Sequence, residues 1–178
     1  MNRHDPACDV AHGEAPTEAT DTRALVAVYA NGVASYLLQW GRELGYATVL
    51  LEPDPTRVTP GHRAGADKVV HDPADVDATG ADVVFADHHR DDIGPMMAPL
   101  VRAGPRWIGI MGSPRHQGAH RELLAAEGVE PALIETVRRP IGLDIGSKEP
   151  AEIALSTLAG LLAHRNGRDG GFYDRRDR

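Results

Sequence analysis

The sequence has little cysteine, no excess of positive charge and no long apolar run, and each absence excludes a class of protein. Its single cysteine, Cys8, can form neither an internal disulfide nor a cysteine-based metal site, which fits a reducing cytoplasm. A formal net charge of -7 argues against binding to nucleic acid, because that affinity comes chiefly from clustered lysine and arginine. No stretch of about 18 apolar residues is present to span a bilayer, and the N-terminal residues lack the apolar core of a signal peptide. We therefore expect a cytoplasmic protein with neither nucleic acid nor a membrane as partner.

The length of 178 residues predicts one domain, and polar segments flank it on both sides. Residues 1–22 are rich in Ala, Asp, Glu, Thr and Pro without periodicity, so we expect a disordered leader. Residues 166–178 mix glycine with charged residues, which predicts a flexible tail. The folded domain is then expected to span residues 23–165.

Between these segments, short apolar runs alternate with stretches of helical period, a pattern typical of a parallel sheet covered by helices on both faces. The predicted strands are Ala24 to Tyr29, Ala47 to Leu51, Lys68 to Val70, Val83 to Ala86 and Trp107 to Met111. The predicted helices are one that begins near Val33 and ends near Gly45, then Ile93 to Arg102, about Gln117 to Glu127, and Ala151 to His164. The right-handed crossover rule then predicts a Rossmann-like, doubly wound α/β fold with strand order 3-2-1-4-5.

The first strand, turn and helix have the layout of a dinucleotide-binding unit, whose fingerprint is G-x-G-x-x-G/A. Here Tyr29 and Asn31 stand at the first two glycine positions and place side chains where a diphosphate needs bare backbone. Glu52, 20 residues after Gly32, has the position of a carboxylate that binds the ribose of NAD. We expect a fold that kept the turn and lost the ligand, and an NAD(P)-binding oxidoreductase is the alternative.

A second turn follows the fifth predicted strand at Gly112 and Ser113, and Pro114 is suited to open the next helix. Backbone N–H groups there, with Arg115 and Arg121 nearby, can hold a phosphate. The simpler interpretation is a Gly-Ser turn that caps the helix, with solvated arginines.

Two segments of the last third resemble a known family. WIGIMGSPRH at 107–116 and PIGLDIGSKEPAEIAL at 140–155 look like the C-terminal Rossmann domain of the xanthine dehydrogenase accessory (XdhC/CoxI) family, and the resemblance covers about residues 24–164. It implies an accessory protein, more a cofactor-delivery factor than an enzyme. Such a protein binds molybdenum cofactor, helps it acquire its terminal sulfur and hands it to a molybdenum hydroxylase of the xanthine or carbon monoxide dehydrogenase type.

The resemblance also implies partners and a site. The expected partner is a molybdenum hydroxylase subunit or a larger accessory protein, and the chain could also form a homodimer. The remaining alternative for its function is a degenerate interaction module without a ligand. We expect Gly112, Ser113 and Arg115 to hold the cofactor phosphate, with Asp144 lining the site or simply securing its loop. Leu143 and Ile145, between turn-forming glycines, are predicted to anchor that loop in the core.

Histidines form the last pattern. Asp87, His88 and His89 end the fourth predicted strand, and His116 and His120 lie four residues apart after the fifth. Paired histidines and a carboxylate could bind zinc, but no base for hydrolytic chemistry is evident. We therefore expect no metal site, and predict that these polar residues line or flank the crevice at the sheet edge.

Overall fold

The computed structural model of the chain describes residues 23–113, 115 and 118–172. The predicted leader at 1–22, which includes Cys8, and the end of the predicted tail at 173–178 lie outside the described residues. Within the described ranges, no helix combines the length and the apolar character needed to cross a bilayer.

Five parallel strands form one sheet in the order β3-β2-β1-β4-β5, which confirms the predicted topology. Val28 of the central strand lies opposite Leu51 on one side and Phe85 on the other, so three strands end at the same edge. Almost every strand residue near the centre is buried because helices cover both faces. The strands are β1 (Ala24–Val28), β2 (Ala47–Leu51), β3 (Lys68–Val70), β4 (Asp82–Phe85) and β5 (Trp107–Ile110).

Helices connect the strands; four of the six in the described residues were predicted, and the short helices at Pro60–Gly65 and Pro131–Ile134 were not. The first ends before Gly45, which takes a φ of 81° as expected of a residue that terminates a helix. The third predicted helix is shorter than its sequence suggested, because its first backbone bond runs from Leu123 N to Ala119 O. The helices are α1 (Gly32–Glu43), α2 (Pro60–Gly65), α3 (Ile93–Arg102), α4 (His120–Ala126), α5 (Pro131–Ile134) and α6 (Pro150–Arg165).

The core has two layers, one on each face of the sheet. Side chains of α3, α4 and α5, such as Met97 and Leu124, pack on one face. On the other face, α1 contributes Leu37 and α6 contributes Leu158. The buried side of α6 also carries Thr157, whose hydroxyl donates to the carbonyl of Ile153. This arrangement leaves the two ends of the sheet as the places where a ligand can approach.

Candidate functional site

The carboxyl ends of the strands carry most of the residues that the sequence singled out. β1 runs into Tyr29, β2 into Glu52, β4 into the loop 86–92, and β5 into Gly112. Ligands of open α/β sheets bind outside this edge, at the point where the strand order reverses. In this sheet the reversal lies between β1 and β4.

Tyr29 fills the crevice at that reversal. It adopts a φ of 74°, the left-handed conformation that favours the glycine found at this fingerprint position. Its hydroxyl donates to Asp92 Oδ1 at 2.9 Å, and the Arg90 guanidinium lies 4.5 Å from the ring centroid. Burial, followed by the hydrogen bond to Asp92, raises the pKa of Tyr29, so its hydroxyl remains a donor. One side chain thus joins the end of β1 to the loop after β4.

The polar groups of the first turn are bonded to other protein groups. Ala30 N donates to Glu52 Oε2 at 2.8 Å, and Ala34 N donates to Asn31 Oδ1 at 2.9 Å. The Asn31 amide also donates to the carbonyl of Ala86 at 2.6 Å. In an intact fingerprint, backbone amides at this helix start face a diphosphate. Here two of the amides at this turn, those of Ala30 and Ala34, donate to protein side chains instead.

Glu52, the predicted ribose-binding carboxylate, is fully buried. Besides Ala30 N, it accepts a hydrogen bond from Asp54 N at 3.0 Å and pairs with Arg90 Nη2 at 3.3 Å. A buried carboxylate needs such donors to offset the loss of its hydration. The structure therefore places Glu52 as an internal acceptor beneath the first turn.

Gly112, Ser113 and Arg115, which were predicted to hold the cofactor phosphate, belong to a short turn. Ser113 Oγ accepts a hydrogen bond from Arg115 N at 3.2 Å, and the Arg115 side chain is exposed. The other basic residue considered for this site, Arg121, forms an ion pair with Glu135, with one contact of 2.8 Å. Pro114 lies outside the described residues.

Arg139, which the sequence analysis did not single out, lies directly against this turn. Its Nη1 donates to the carbonyl of Met111 at 2.7 Å. A Cβ atom at Gly112 or at Gly118 would collide with its guanidinium, so the two glycines make room for it. The two glycines could have indicated from the sequence that a large side chain packs against this turn. Sequence spacing does not show which distant side chain it is.

A cavity of about 400 Å³ opens beside Arg139, between the ends of β4 and β5. Its walls carry the apolar side chains of Ile93, Ile110 and Leu123 together with a set of basic side chains. This volume is within the range of ligand-binding pockets. The basic lining residues are His88, His89, Arg90, His120 and Arg139. The expectation that His88, His89 and His120 meet at one edge is thus confirmed.

Four buried nitrogen atoms of these lining residues have no hydrogen-bond partner. Burial is the largest influence on both unpartnered histidines and lowers the pKa of each, and the nearby Arg139 lowers both further. Both rings therefore favour the neutral form at neutral pH. The unpartnered atoms are His88 Nδ1, Arg90 Nη1, His120 Nδ1 and Arg139 Nε.

The loop that contains Asp144 differs from its prediction in one respect. Gly142 and Gly146 both have positive φ, of 83° and 71°, so the predicted turns are present. Leu143 is half-buried, but Ile145 is 54% exposed and does not anchor the loop, which corrects the expectation made for it. Asp144 is exposed and is not among the described residues that line the cavity.

The histidines do not assemble into a metal centre within the described part of the chain. The rings of His88 and His89 stack with centroids 3.9 Å apart, and His120 is the first residue of α4. His116 lies outside the described residues. No group of three or more His, Cys, Asp or Glu side chains among those described could hold a metal ion.

A larger depression, of about 680 Å³, lies at the opposite edge, beside the amino ends of the strands. One of its charged lining residues, Arg106, forms an ion pair with the buried Asp82. Because open sheets bind ligands at their carboxyl edge, we place the candidate site at the smaller cavity near Arg139.

Comparison with known proteins agrees with this architecture. The family model described as the XdhC Rossmann domain matches residues 25–161, which include both the first turn and the PIGLDIG segment. A crystal structure described as a xanthine dehydrogenase from Bacillus halodurans has 25% sequence identity and a TM-score of 0.68. That match covers 82% of this chain and 45% of the other.

A sequence relative gives a shorter match. The uncharacterized protein YqeB of Escherichia coli (strain K12) is 35% identical over 73 residues, which are 41% of this chain and 14% of YqeB. The chain therefore spans less than half the length of the proteins that it matches.

Proposed function

Because the chain belongs to the XdhC family of Rossmann domains, we propose that it is an accessory domain that binds molybdenum cofactor and delivers it to a hydroxylase of the xanthine dehydrogenase type. The observation that carries this proposal is the family match over 25–161, most of the folded domain. The similarity to a protein described as a xanthine dehydrogenase supports the choice of partner. The cofactor is cargo in this proposal, and the chain binds and orients it.

The carboxyl edge suits part of such a ligand. The cofactor is a pterin that carries a phosphate, and buried basic nitrogen atoms are suitable partners for a phosphate group. Arg115 is exposed, and its backbone N–H donates to Ser113 Oγ. Its side chain can reach an anionic ligand from solvent. Gly112 contributes by admitting Arg139 beside the turn. We assign no ligand contact to Glu52, whose carboxylate is committed to internal donors.

The test is anaerobic binding of molybdenum cofactor to the purified chain, with the hydroxylase present in a parallel sample. We expect Arg115→Ala to weaken binding about tenfold to a hundredfold, because a charge-assisted contact contributes roughly 1.5 to 3 kcal/mol. Arg57→Ala is the matched control, since Arg57 is also exposed but lies after β2. Both variants must melt cooperatively near the parent temperature before affinities are compared.

Three outcomes separate the candidate functions. Cofactor binding that Arg115→Ala weakens supports delivery through this turn. If the folded Arg115→Ala protein binds as the parent does, the turn at 112–115 has only a structural role. If the chain binds no cofactor but co-purifies with a hydroxylase subunit, an interaction module without a ligand is the better account.

A further inference from the structure

We propose that the cavity between the ends of β4 and β5 is a phosphate-binding site, with donors from His88, Arg90, His120 and Arg139. It lies at the same edge as the proposed cofactor site, so the proposal rests on that function, but inorganic phosphate alone can test it.

The first observation is the set of unpartnered nitrogen atoms. Buried polar groups in proteins are nearly always hydrogen-bonded, so several unsatisfied groups around one cavity require an explanation. All four here are nitrogen atoms of basic side chains, and each belongs to a residue that lines the same space. An acceptor with several oxygen atoms would satisfy them together.

His120 is the most deeply buried member of the set. It is only 6% exposed, and its Nδ1 atom has no partner. It is the first residue of α4, whose Leu124 packs in the core together with side chains of α3. The ring interacts with the Gly118 backbone, and the unpartnered Nδ1 atom is the one suited to bond a ligand that enters the cavity.

Arg139 supplies charge that nothing nearby neutralises. Among the described residues, no carboxylate lies within ion-pair distance of its guanidinium, and burial lowers its pKa. The Met111 carbonyl and the space left by Gly112 and Gly118 fix its position. Arginine remains protonated in proteins, so this is a positive charge held at the cavity wall.

Arg90 is held in place by two acidic residues and by Tyr29. Its Nη2 pairs with Glu52 at 3.3 Å and its Nε with Asp92 at 3.5 Å, and its guanidinium stacks over Tyr29. These contacts use two of its three nitrogen atoms and leave Nη1 without a partner. The acidic residues therefore orient Arg90, which lines the cavity, without using its Nη1 atom.

The chemistry of the lining selects the class of ligand. Two arginines exclude a metal cation, and the buried donors disfavour an apolar occupant. The acidic lining residue, Asp91, is exposed at the rim. A phosphate has enough oxygen atoms to accept from four donors and enough charge to match Arg139. A volume of about 400 Å³ holds the phosphate and part of the molecule attached to it.

The test is a titration of the full chain with inorganic phosphate at constant ionic strength, with chloride as the reference salt. We expect saturable binding by calorimetry, a rise in Tm, and shifts of the His88 and His120 ring signals in NMR spectra. Arg139→Gln should weaken binding by about tenfold or more, because it removes a charge-assisted contact. Arg138→Gln is the matched control. Arg138 precedes Arg139 in the chain, but its side chain is exposed and lines a different depression.

His120→Gln is a second variant in case Arg139→Gln does not fold, and it should also weaken phosphate binding. The proposal is overturned if the parent shows no saturation, or if both folded variants bind phosphate as the parent does. Such a result would leave cofactor binding through Arg115 untouched. If Arg139→Gln lowers the affinity for molybdenum cofactor by the same factor, the site holds the cofactor's own phosphate. If cofactor binding is unchanged while phosphate binding falls, the site serves another phosphorylated molecule.

Discussion

At the scale of single residues, Tyr29 shows how a side chain can occupy the position where an intact fingerprint leaves room for a ligand. A glycine position of the fingerprint is occupied by a tyrosine that keeps the glycine-like φ of 74°. A bulky residue in that conformation is strained, so surrounding contacts must hold it. The bond to Asp92, the stacking of Arg90 and edge-on packing against Phe85 provide those contacts.

These contacts lead to a prediction for Tyr29→Phe. We expect the free energy of unfolding to fall by about 1 to 2 kcal/mol, because a part-buried hydrogen bond to a charged acceptor is lost. Urea denaturation measures the change, and Tyr36→Phe is the control, since Tyr36 is 36% exposed. Equal stabilities of Tyr29→Phe and the parent would mean that the hydroxyl bond to Asp92 does not hold the turn.

His120 gives a second prediction, on pH. Burial lowers its pKa below the ordinary value of 6.5, Arg139 and Arg121 lower it further, and the Gly118 backbone and Glu135 act in the opposite direction. With a depressed pKa in the folded state, the unfolded chain binds more protons as pH falls below 6.5. Stability should therefore decrease from neutral pH toward the lower folded pKa.

The measurement is Tm between pH 7.5 and 5.5 in chloride buffer. We expect His120→Gln to lose less stability over this range than the parent. His164→Gln should behave as the parent does, because the His164 side chain is exposed at the end of α6. An identical decline in the parent and His120→Gln would show that other groups control the acid sensitivity.

At the scale of elements, periodicity predicted the five strands and the four longest helices of the described residues, but not the short helices α2 and α5. The strand bounds differ from the prediction by at most one residue, because continuous apolar runs bounded by turns mark buried strands clearly. The predicted helix from Gln117 instead begins at His120. Apolar spacing marks the buried face of a helix, but it does not fix its first turn.

The candidate site was less predictable than the fold, and Glu52 illustrates the reason. Its distance along the chain from the first turn matches a ribose-binding carboxylate, and the structure does place it beneath that turn. Spacing could not show that Arg90, 38 residues later, reaches the same carboxylate. In the same way, Gly112 was noted for its turn, whereas the structure shows it making room for Arg139.

The PAEIAL segment shows a structural use for part of a family-like motif. Glu152 Oε2 accepts hydrogen bonds from Lys148 N at 3.0 Å and from Glu149 N at 3.3 Å, just before α6. These bonds satisfy amides at the helix start and lower the pKa of Glu152. The adjoining Pro150 begins the helix, where a missing N–H does no harm. The segment thus defines where the last helix starts and how it meets α1.

At the scale of the whole molecule, the proposed site lies one strand along the sheet from the usual dinucleotide position. The strand order reverses between β1 and β4, where Rossmann folds usually bind dinucleotides. Tyr29, Arg90 and Glu52 fill that crevice with a connected set of bonds. The cavity with unpartnered basic groups instead lies between β4 and β5. The fold is that of a dinucleotide-binding domain, but the chemistry at its edge is different.

This displacement predicts the behaviour of the chain toward NADH. We expect no saturation of NADH fluorescence below about 100 µM, because Tyr29 and Asn31 place side chains at the glycine positions of the turn and the amides of Ala30 and Ala34 already donate to Glu52 and Asn31. The same sample should show the phosphate-dependent rise in Tm, which establishes that the protein is folded and competent to bind. Weak binding at higher NADH concentration should disappear in Arg139→Gln, since it would use the phosphate cavity. Micromolar binding that persists in Arg139→Gln would contradict this account, because the dinucleotide would then have to occupy the first turn and displace the contacts that Tyr29 makes there.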